Sequence, residues 1–457
     1  MNDTGKLMGT IFFIAYVADH ARGAPPRPLT FLWNGGPGSN SAQIQTVGYG
    51  PKRLKTPDTY PQWTPGLKTP IVDNPQTWLA TSDLVFVDPA GTGFSRATSK
   101  RYMKILYTTR GDAEAVAEFI RIYLNRNNRW HSPLFIGGES YGTWRAEAVA
   151  DALELRRTRL DGVLLMSGAF DLGQKVPKAL NTALDIDHLT ATGYYFRLLA
   201  PALQSLPQDQ AIKHAVDWAR RVWAPALAHP EDLNIAQRTA VIDGLRRYTG
   251  MNPKYVNWQT LTVKDFTDNL LRYKDLELGR YDSRMKTKYR GHGVPWSPLS
   301  DPSLRPELDL MQGTSIVFND YVRDTLRFSS DLLYQGPFGG AFHPQPLNVN
   351  KYGYASDWMA MRFAFGPYDS STKEPPLRVA MELNPDLRVM NMTGIYNASC
   401  AAKDEQVAAI DPQFKGRVTD RCYPAGHMIY TDRIARIEAQ HDFAEFVRGA
   451  VAAQSTQ

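Results

Sequence analysis

The chain has 457 residues, which at roughly 150 residues per domain predicts about three domains. Hydrophobic residues make up 43% and aromatics 11%, enough for a sizeable core, so wholesale disorder is excluded. The charge excess is only +6, from 52 basic and 46 acidic residues; the pI near 9 therefore makes no case for nucleic acid.

In chain order, the first apolar run, Ile11-Phe-Phe-Ile-Ala-Tyr-Val17, reads as a strand. No basic segment with a cleavage site precedes it, so no signal peptide is visible. Further short runs follow at Leu29-Thr-Phe-Leu-Trp33, Asp83-Leu-Val-Phe-Val-Asp88, Pro133-Leu-Phe-Ile-Gly137 and Gly162-Val-Leu-Leu-Met166. Bounded by Gly or Pro, they predict buried strands. Between two of them, Val116, Phe119, Ile120, Tyr123 and Leu124 recur at helical spacing, with Asp112 as candidate N-cap. Strand–helix–strand alternation predicts a mostly parallel α/β sheet.

The middle of the chain changes character. Ile212, Ala215, Val216, Ala219, Val222 and Trp223 share one helix face, and a second helical pattern spans 233–245. No strand is evident from about 172 to 335, so this stretch reads as an inserted helical cap over the carboxyl ends of the strands. Its basic run, Arg284-Met-Lys-Thr-Lys-Tyr-Arg290, reads as a solvated face. The strand pattern resumes at Leu387-Arg-Val-Met-Asn-Met392, and a final helix is expected over 434–447. The expected division is a core over 1–171, a cap over 172–335 and the completed core over 336–457. No stretch reaches about 18 apolar residues, so no membrane span is expected.

Gly138-Glu-Ser140-Tyr-Gly142 matches G-x-S-x-G, with an apolar strand before it and a helical pattern through Ala146, Val149, Ala150 and Leu153 after it. That is the strand–turn–helix context of a nucleophile elbow. A serine hydroxyl needs a base, and among nine histidines His427 sits in a loop after a short strand pattern, late in the chain. His441 falls inside the last helix pattern. Asn34-Gly-Gly-Pro-Gly38 follows a strand and can turn backbone N–H groups toward an oxyanion.

Together with Asn74-Pro-Gln-Thr-Trp78, Asp88-Pro-Ala-Gly-Thr-Gly-Phe-Ser95 and Ala425-Gly-His427, these segments resemble the serine carboxypeptidase family of the α/β-hydrolase superfamily, with looser similarity to its bacterial branch. The resemblance implies Ser140 as nucleophile, His427 as base, the N–H groups of Gly36 and Tyr141 as oxyanion hole, and Asn34 and Glu139 as the residues that bind the substrate's terminal carboxylate. It implies no metal and no organic cofactor, and a peptide or small acyl substrate with a free carboxylate. It allows a periplasmic or secreted location if a leader was removed, and otherwise a cytoplasmic one. Oligomeric state is not legible. A protonated Glu139 could donate to a carboxylate that an ionised one would repel. Activity is therefore expected to fall above about pH 6.

One position departs from the resemblance. Where the family carries an Asp, Met392-Thr-Gly394-Ile-Tyr-Asn397 places an asparagine. An amide can orient imidazole but cannot stabilise imidazolium by charge, and it can favour the wrong tautomer. Three explanations stay open: Asn397 works with altered activity, Asp404 or Glu405 substitutes, or the residue is an engineered exchange. An acyltransferase or a small-molecule amide or ester hydrolase is the alternative function, and a catalytically silent peptide binder a more distant one. The sequons at Asn391 and Asn397 read as accidental. Cys400 and Cys422 can be reduced or bridged; a bridge would tie together the loops carrying the base and its partner.

Overall fold

The computed structural model describes residues 4–21, 23–55, 69–297, 300–304, 317–335 and 374–454. Seven strands form one sheet: β1 (Phe12–Tyr16), β2 (Leu29–Trp33), β3 (Asp83–Asp88), β4 (Leu134–Glu139), β5 (Gly162–Met166), β6 (Arg388–Gly394) and β7 (Val418–Tyr423). Their order is β7-β6-β5-β4-β2-β3-β1, with β1 antiparallel to β3 and the other pairs parallel. This is the expected mostly parallel α/β architecture.

The apolar runs are continuous because the sheet is covered on both faces. Side chains alternate along a strand. Leu29, Phe31 and Trp33 of β2 thus join the cluster of helices α1 (Thr109–Arg126) and α2 (Tyr141–Leu155). Leu32, between them, joins the opposite cluster with Phe443 and Phe446 of α9 (Arg433–Gln454). Each such side chain contributes roughly 1.5–3 kcal/mol when fully buried.

Strand order reverses beside β2, since β3 lies on one side and β4 on the other. A crevice outside the carboxyl ends of β2 and β4 is where open α/β sheets hold ligands. The turn after β2 is Asn34-Gly-Gly-Pro-Gly38 and the turn after β4 is Ser140.

Two sequence expectations need correction. Asp112 does not cap α1. Thr108 does, its hydroxyl accepting from the Gly111 N–H at 3.0 Å, and Asp112 is instead fully buried against Arg145 of α2 at 2.7 Å. Arg145 also donates to the Asn34 carbonyl at 2.9 Å, so this pair anchors the turn after β2 to the elbow helix. Arg145→Met would leave the Asp112 charge buried and unpaired. We expect it to lower unfolding free energy by about 3–5 kcal/mol, read by denaturant titration.

The stretch after β5 is mostly helical but not wholly so. It contains α3 (Lys178–Leu184), α4 (Ile186–Tyr195), α5 (Gln208–Trp218) and α6 (Ile235–Thr249), with their own apolar cluster around Trp223 and Leu245. It also holds an antiparallel ribbon pairing Leu276–Leu278 with Lys286–Lys288. Lys286 and Lys288 of the basic run are exposed on it. Arg284 is not: its guanidinium is buried against Asp282 at 2.8 Å and Asp432 at 3.1 Å. Arg290 binds Asp268 and Glu277. The run is therefore partly an internal ion-pair network, not a solvated face. Of the expected second core segment, 336–373 lies outside the described residues. The rest supplies α7 (Pro376–Leu383), β6, α8 (Cys400–Ala408), β7 and α9.

Candidate active site

Ser140 stands between β4 and α2 with φ 59° and ψ −124°, a left-handed conformation unusual for a residue with a side chain. Such stored backbone strain marks functional turns, and here it projects the hydroxyl from the sheet edge. A Cβ at Gly35 would lie 2.6 Å from the Tyr141 nitrogen and 2.9 Å from the Ser140 Cβ. Only glycine fits, and the absence of a side chain lets the turn after β2 press directly on the elbow. Gly36 follows with φ +100°, and Tyr141 opens α2, so its N–H projects from the helix N-terminus and not into the helix ladder. The two expected oxyanion donors thus come from segments in direct contact.

Asn34 and Glu139 are brought together. Both are buried, and the Asn34 amide donates to Glu139 Oε1 at 3.0 Å. The Asn34 Oδ1 accepts from the Ile44 N–H at 3.0 Å, which fixes the amide's orientation. Two residues not anticipated from sequence join them. The Tyr430 hydroxyl lies 3.5 Å from the Asn34 amide nitrogen. Tyr49, whose own pKa the Glu139 charge helps to raise after burial, keeps its hydroxyl buried without a partner among the described residues. The Asn74–Trp78 motif supports this floor. Asn74 donates to the Gly48 and Gly50 carbonyls, and Trp78 stacks on Tyr49 at 3.6 Å. Asp88 holds the loop beyond Gly38 by accepting from the Ser41 N–H at 2.7 Å; burial pushes its pKa up to about 6.

At the other end of the site, His427 Nδ1 lies 2.9 Å from Asn397 Oδ1. The Asn397 amide donates on its far side to the Arg280 carbonyl at 3.1 Å. Among the described residues the ring's hydrogen bond is to Asn397, and none joins it to Ser140. Burial alone pushes the His427 pKa down, to about 4; no carboxylate lifts it. Asp404 and Glu405 do not take the acid's place at the ring. Asp404 bonds Asp420, and Glu405 bonds Arg220 at 2.6 Å. Asn391 is buried in β6, where no glycan would fit. His441 lies exposed on α9.

Cys400 and Cys422 form a disulfide, joining the start of α8 to β7 across 22 residues. The Asn397 turn and the His427 loop are thus tied covalently from behind. Replacing both cysteines with serine is expected to cost about 3 kcal/mol by the loop-entropy relation, measurable as a lowered unfolding midpoint. Among the described residues two groups near the surface, His229/Glu231/Asp232 and His441/Asp442/Glu445, could gather around a cation, and neither includes a residue of this site. Among the described residues no helix is long and apolar enough to cross a membrane.

A strained serine elbow at the carboxyl edge of a mostly parallel sheet, with a late histidine, defines an α/β-hydrolase fold. Comparison with known proteins narrows this. Residues 5–195 match the family described as serine carboxypeptidase. A pheromone-processing carboxypeptidase kex1 of Aspergillus clavatus is 29% identical over 195 residues, covering 38% of this chain and 28% of the relative. Its namesake in Podospora anserina is 30% identical over 162 residues, covering 35% and 25%. The matched part thus spans about a quarter of these relatives. Among solved structures, the prohormone-processing carboxypeptidase KEX1(delta)p of Saccharomyces cerevisiae shares the fold with a TM-score of 0.55. It is 15% identical and covers 98% of this chain and 89% of its own. The chain therefore has an α/β-hydrolase fold, and its residues 5–195 are similar to serine carboxypeptidases. These relatives are fungal and lend no support to the expected placement in a bacterial branch.

Proposed function

We propose that the protein is a serine-type carboxypeptidase. The observation that carries this reading is the pairing of a strained Ser140 elbow with a buried Asn34–Glu139 floor in direct contact with it. A substrate's C-terminal carboxylate would lie against Asn34 and Glu139. The Ser140 hydroxyl attacks the last peptide carbonyl and passes its proton to His427 Nε2. The N–H groups of Gly36 and Tyr141 receive the oxyanion. His427 returns the proton to the leaving amine, and water then attacks the acyl-enzyme by the reverse transfers. Every step uses groups of the chain and water. Residues 172–335 are read as the cap that limits substrate size, between core segments 1–171 and 336–457. The Cys400–Cys422 bridge favours an oxidising compartment.

The test is a mass-spectrometric screen of peptides with varied C-termini. Successive loss of single C-terminal residues is expected, and internal cleavage would contradict the reading. Transfer to an added amine or alcohol in place of water would point instead to the acyltransferase alternative. A carboxamide donates at every pH. Glu139→Gln is therefore expected to remove the decline in peptidase rate with rising pH that an ionisable donor at this position would impose. A decline unchanged in that variant would take Glu139 out of the role.

A further inference from the structure

The base is held from outside the sheet by a five-residue stretch that the catalytic reading does not use. Residues 280–284 run from the ribbon of the inserted region directly across both loops of the base. The Arg280 carbonyl accepts from the Asn397 amide at 3.1 Å. The Tyr281 carbonyl accepts the His427 backbone N–H at 2.6 Å, and the Tyr281 ring packs edge-on against the imidazole with centroids 4.9 Å apart. Asp282 sits so close to Gly426 that a Cβ there would lie 2.4 Å from its carboxylate, which explains the glycine before His427. The Ser283 N–H donates to the Tyr396 carbonyl at 2.9 Å. Arg284 closes the stretch. It pairs with Asp282 through two nitrogens, donates to the Pro424 carbonyl at 3.1 Å, reaches Asp432 at 3.1 Å and stacks over Tyr396 at 4.4 Å. The stretch is itself pinned: the Arg280 N–H donates to Asp301 at 2.9 Å, and the Tyr281 N–H to Ser303 at 3.0 Å.

The chemical consequence concerns the two ends of an amide. Only the NH₂ end of Asn397 can face a carbonyl, so the Arg280 carbonyl leaves Oδ1 for the imidazole. An acceptor at Nδ1 places the ring proton on Nδ1 and the lone pair on Nε2, the form a base for Ser140 must have. We infer that residues 280–284 are a positioning clamp that holds Asn397 in the one amide orientation that keeps His427 in its productive tautomer. A carboxylate would need no such clamp, because both its oxygens accept. The clamp therefore gives a physical reason why an amide can stand where the family resemblance implies an acid.

This inference rests on the catalytic reading above, and its test separates the two. The first measurement needs no substrate: nitrogen NMR of selectively labelled histidine at pH 7, with His427 assigned by its loss in His427→Gln. A protonated Nδ1 and an unprotonated Nε2 are expected. A population with the proton on Nε2 overturns the clamp, whatever the enzyme does with peptides. The second measurement is a double-mutant cycle on kcat/KM. Arg284→Gln, which loosens the clamp, is expected to cost more than tenfold in the parent chain and less than threefold in the Asn397→Asp background. Equal losses in both backgrounds, as a purely structural role would give, or no loss in either, overturns the inference. If Arg284→Gln does not fold, the tautomer measurement decides alone.

Discussion

Ser140→Ala is expected to abolish labelling by a fluorophosphonate and to lower kcat/KM on peptides by on the order of 10⁶, the size seen when one member of a comparable catalytic unit is removed. At about 1.36 kcal/mol per decade this corresponds to about 8 kcal/mol of transition-state stabilisation. The loss should be in kcat, because the proposed carboxylate site at Asn34 and Glu139 is left untouched. The Ser140 hydroxyl makes no hydrogen bond that holds its neighbours in place among the described residues. The elbow's strain comes from the backbone at φ 59°, which alanine shares. The variant should therefore fold, and peptide binding without turnover is the expected phenotype. Labelling that persists at another serine, or turnover within a factor of ten of the parent, would remove Ser140 from the centre of the mechanism.

Asn397→Asp is expected to produce a crossing of pH profiles, not a uniform gain. In the parent chain His427 is pushed down to about 4 by burial and has no carboxylate beside it. It is therefore neutral, and competent as a base, throughout the range above about pH 5. A carboxylate at 397 would favour the imidazolium and raise the pKa by about 1–3 units. The base would then be protonated over more of the acidic range. At pH 5 the upper end of that shift would leave about a hundredfold less neutral base, offset in part by a roughly tenfold gain from the charge-assisted hydrogen bond, so the variant should there be slower than the parent by about tenfold.

At pH 8, where both rings are neutral, the carboxylate should help. The gain there is expected to be about tenfold, the difference between a neutral and a charge-assisted hydrogen bond. It should fall well short of the 10⁴ quoted for an Asp-to-Asn exchange in a chymotrypsin-type triad, which reflects the wrong tautomer. In this protein the Arg280 carbonyl already holds the amide the right way round, and it would face a carboxylate oxygen with no proton between them. A gain of thousands at pH 8 would mean that Asn397 disables the site. Parallel profiles with no shift of the acid limb would mean that Asn397 does not act on His427.

Much of the fold was legible because buried parallel strands announce themselves as apolar runs. The runs at 29–33, 83–88 and 162–166 coincide with β2, β3 and β5. Ser140 was legible because an elbow combines a local motif with local context. What failed involved partners distant in sequence. Asp112 looked like a cap beside its helix, but Arg145, 33 positions on, draws it into the interior. Arg284 looked solvated because its run is basic, yet Asp432 lies 148 positions away. The disulfide depends on α8 and β7 lying side by side, which no local pattern encodes. The contact that orients Asn397 had no signature at all, since a main-chain carbonyl is present at every residue. The asparagine itself was visible, but whether it faced the ring with its oxygen or its nitrogen was not.

The most direct measurement compares kcat/KM for one peptide as its free C-terminal acid and as its C-terminal amide, with single-residue release read by mass. A carboxypeptidase that recognises its substrate through Asn34 and Glu139 should strongly prefer the acid, and that preference should be lost in Asn34→Ala with Ser140 intact. Equal rates on acid and amide, or cleavage at internal bonds of both, would contradict the assignment of Ser140 and its neighbours to C-terminal hydrolysis.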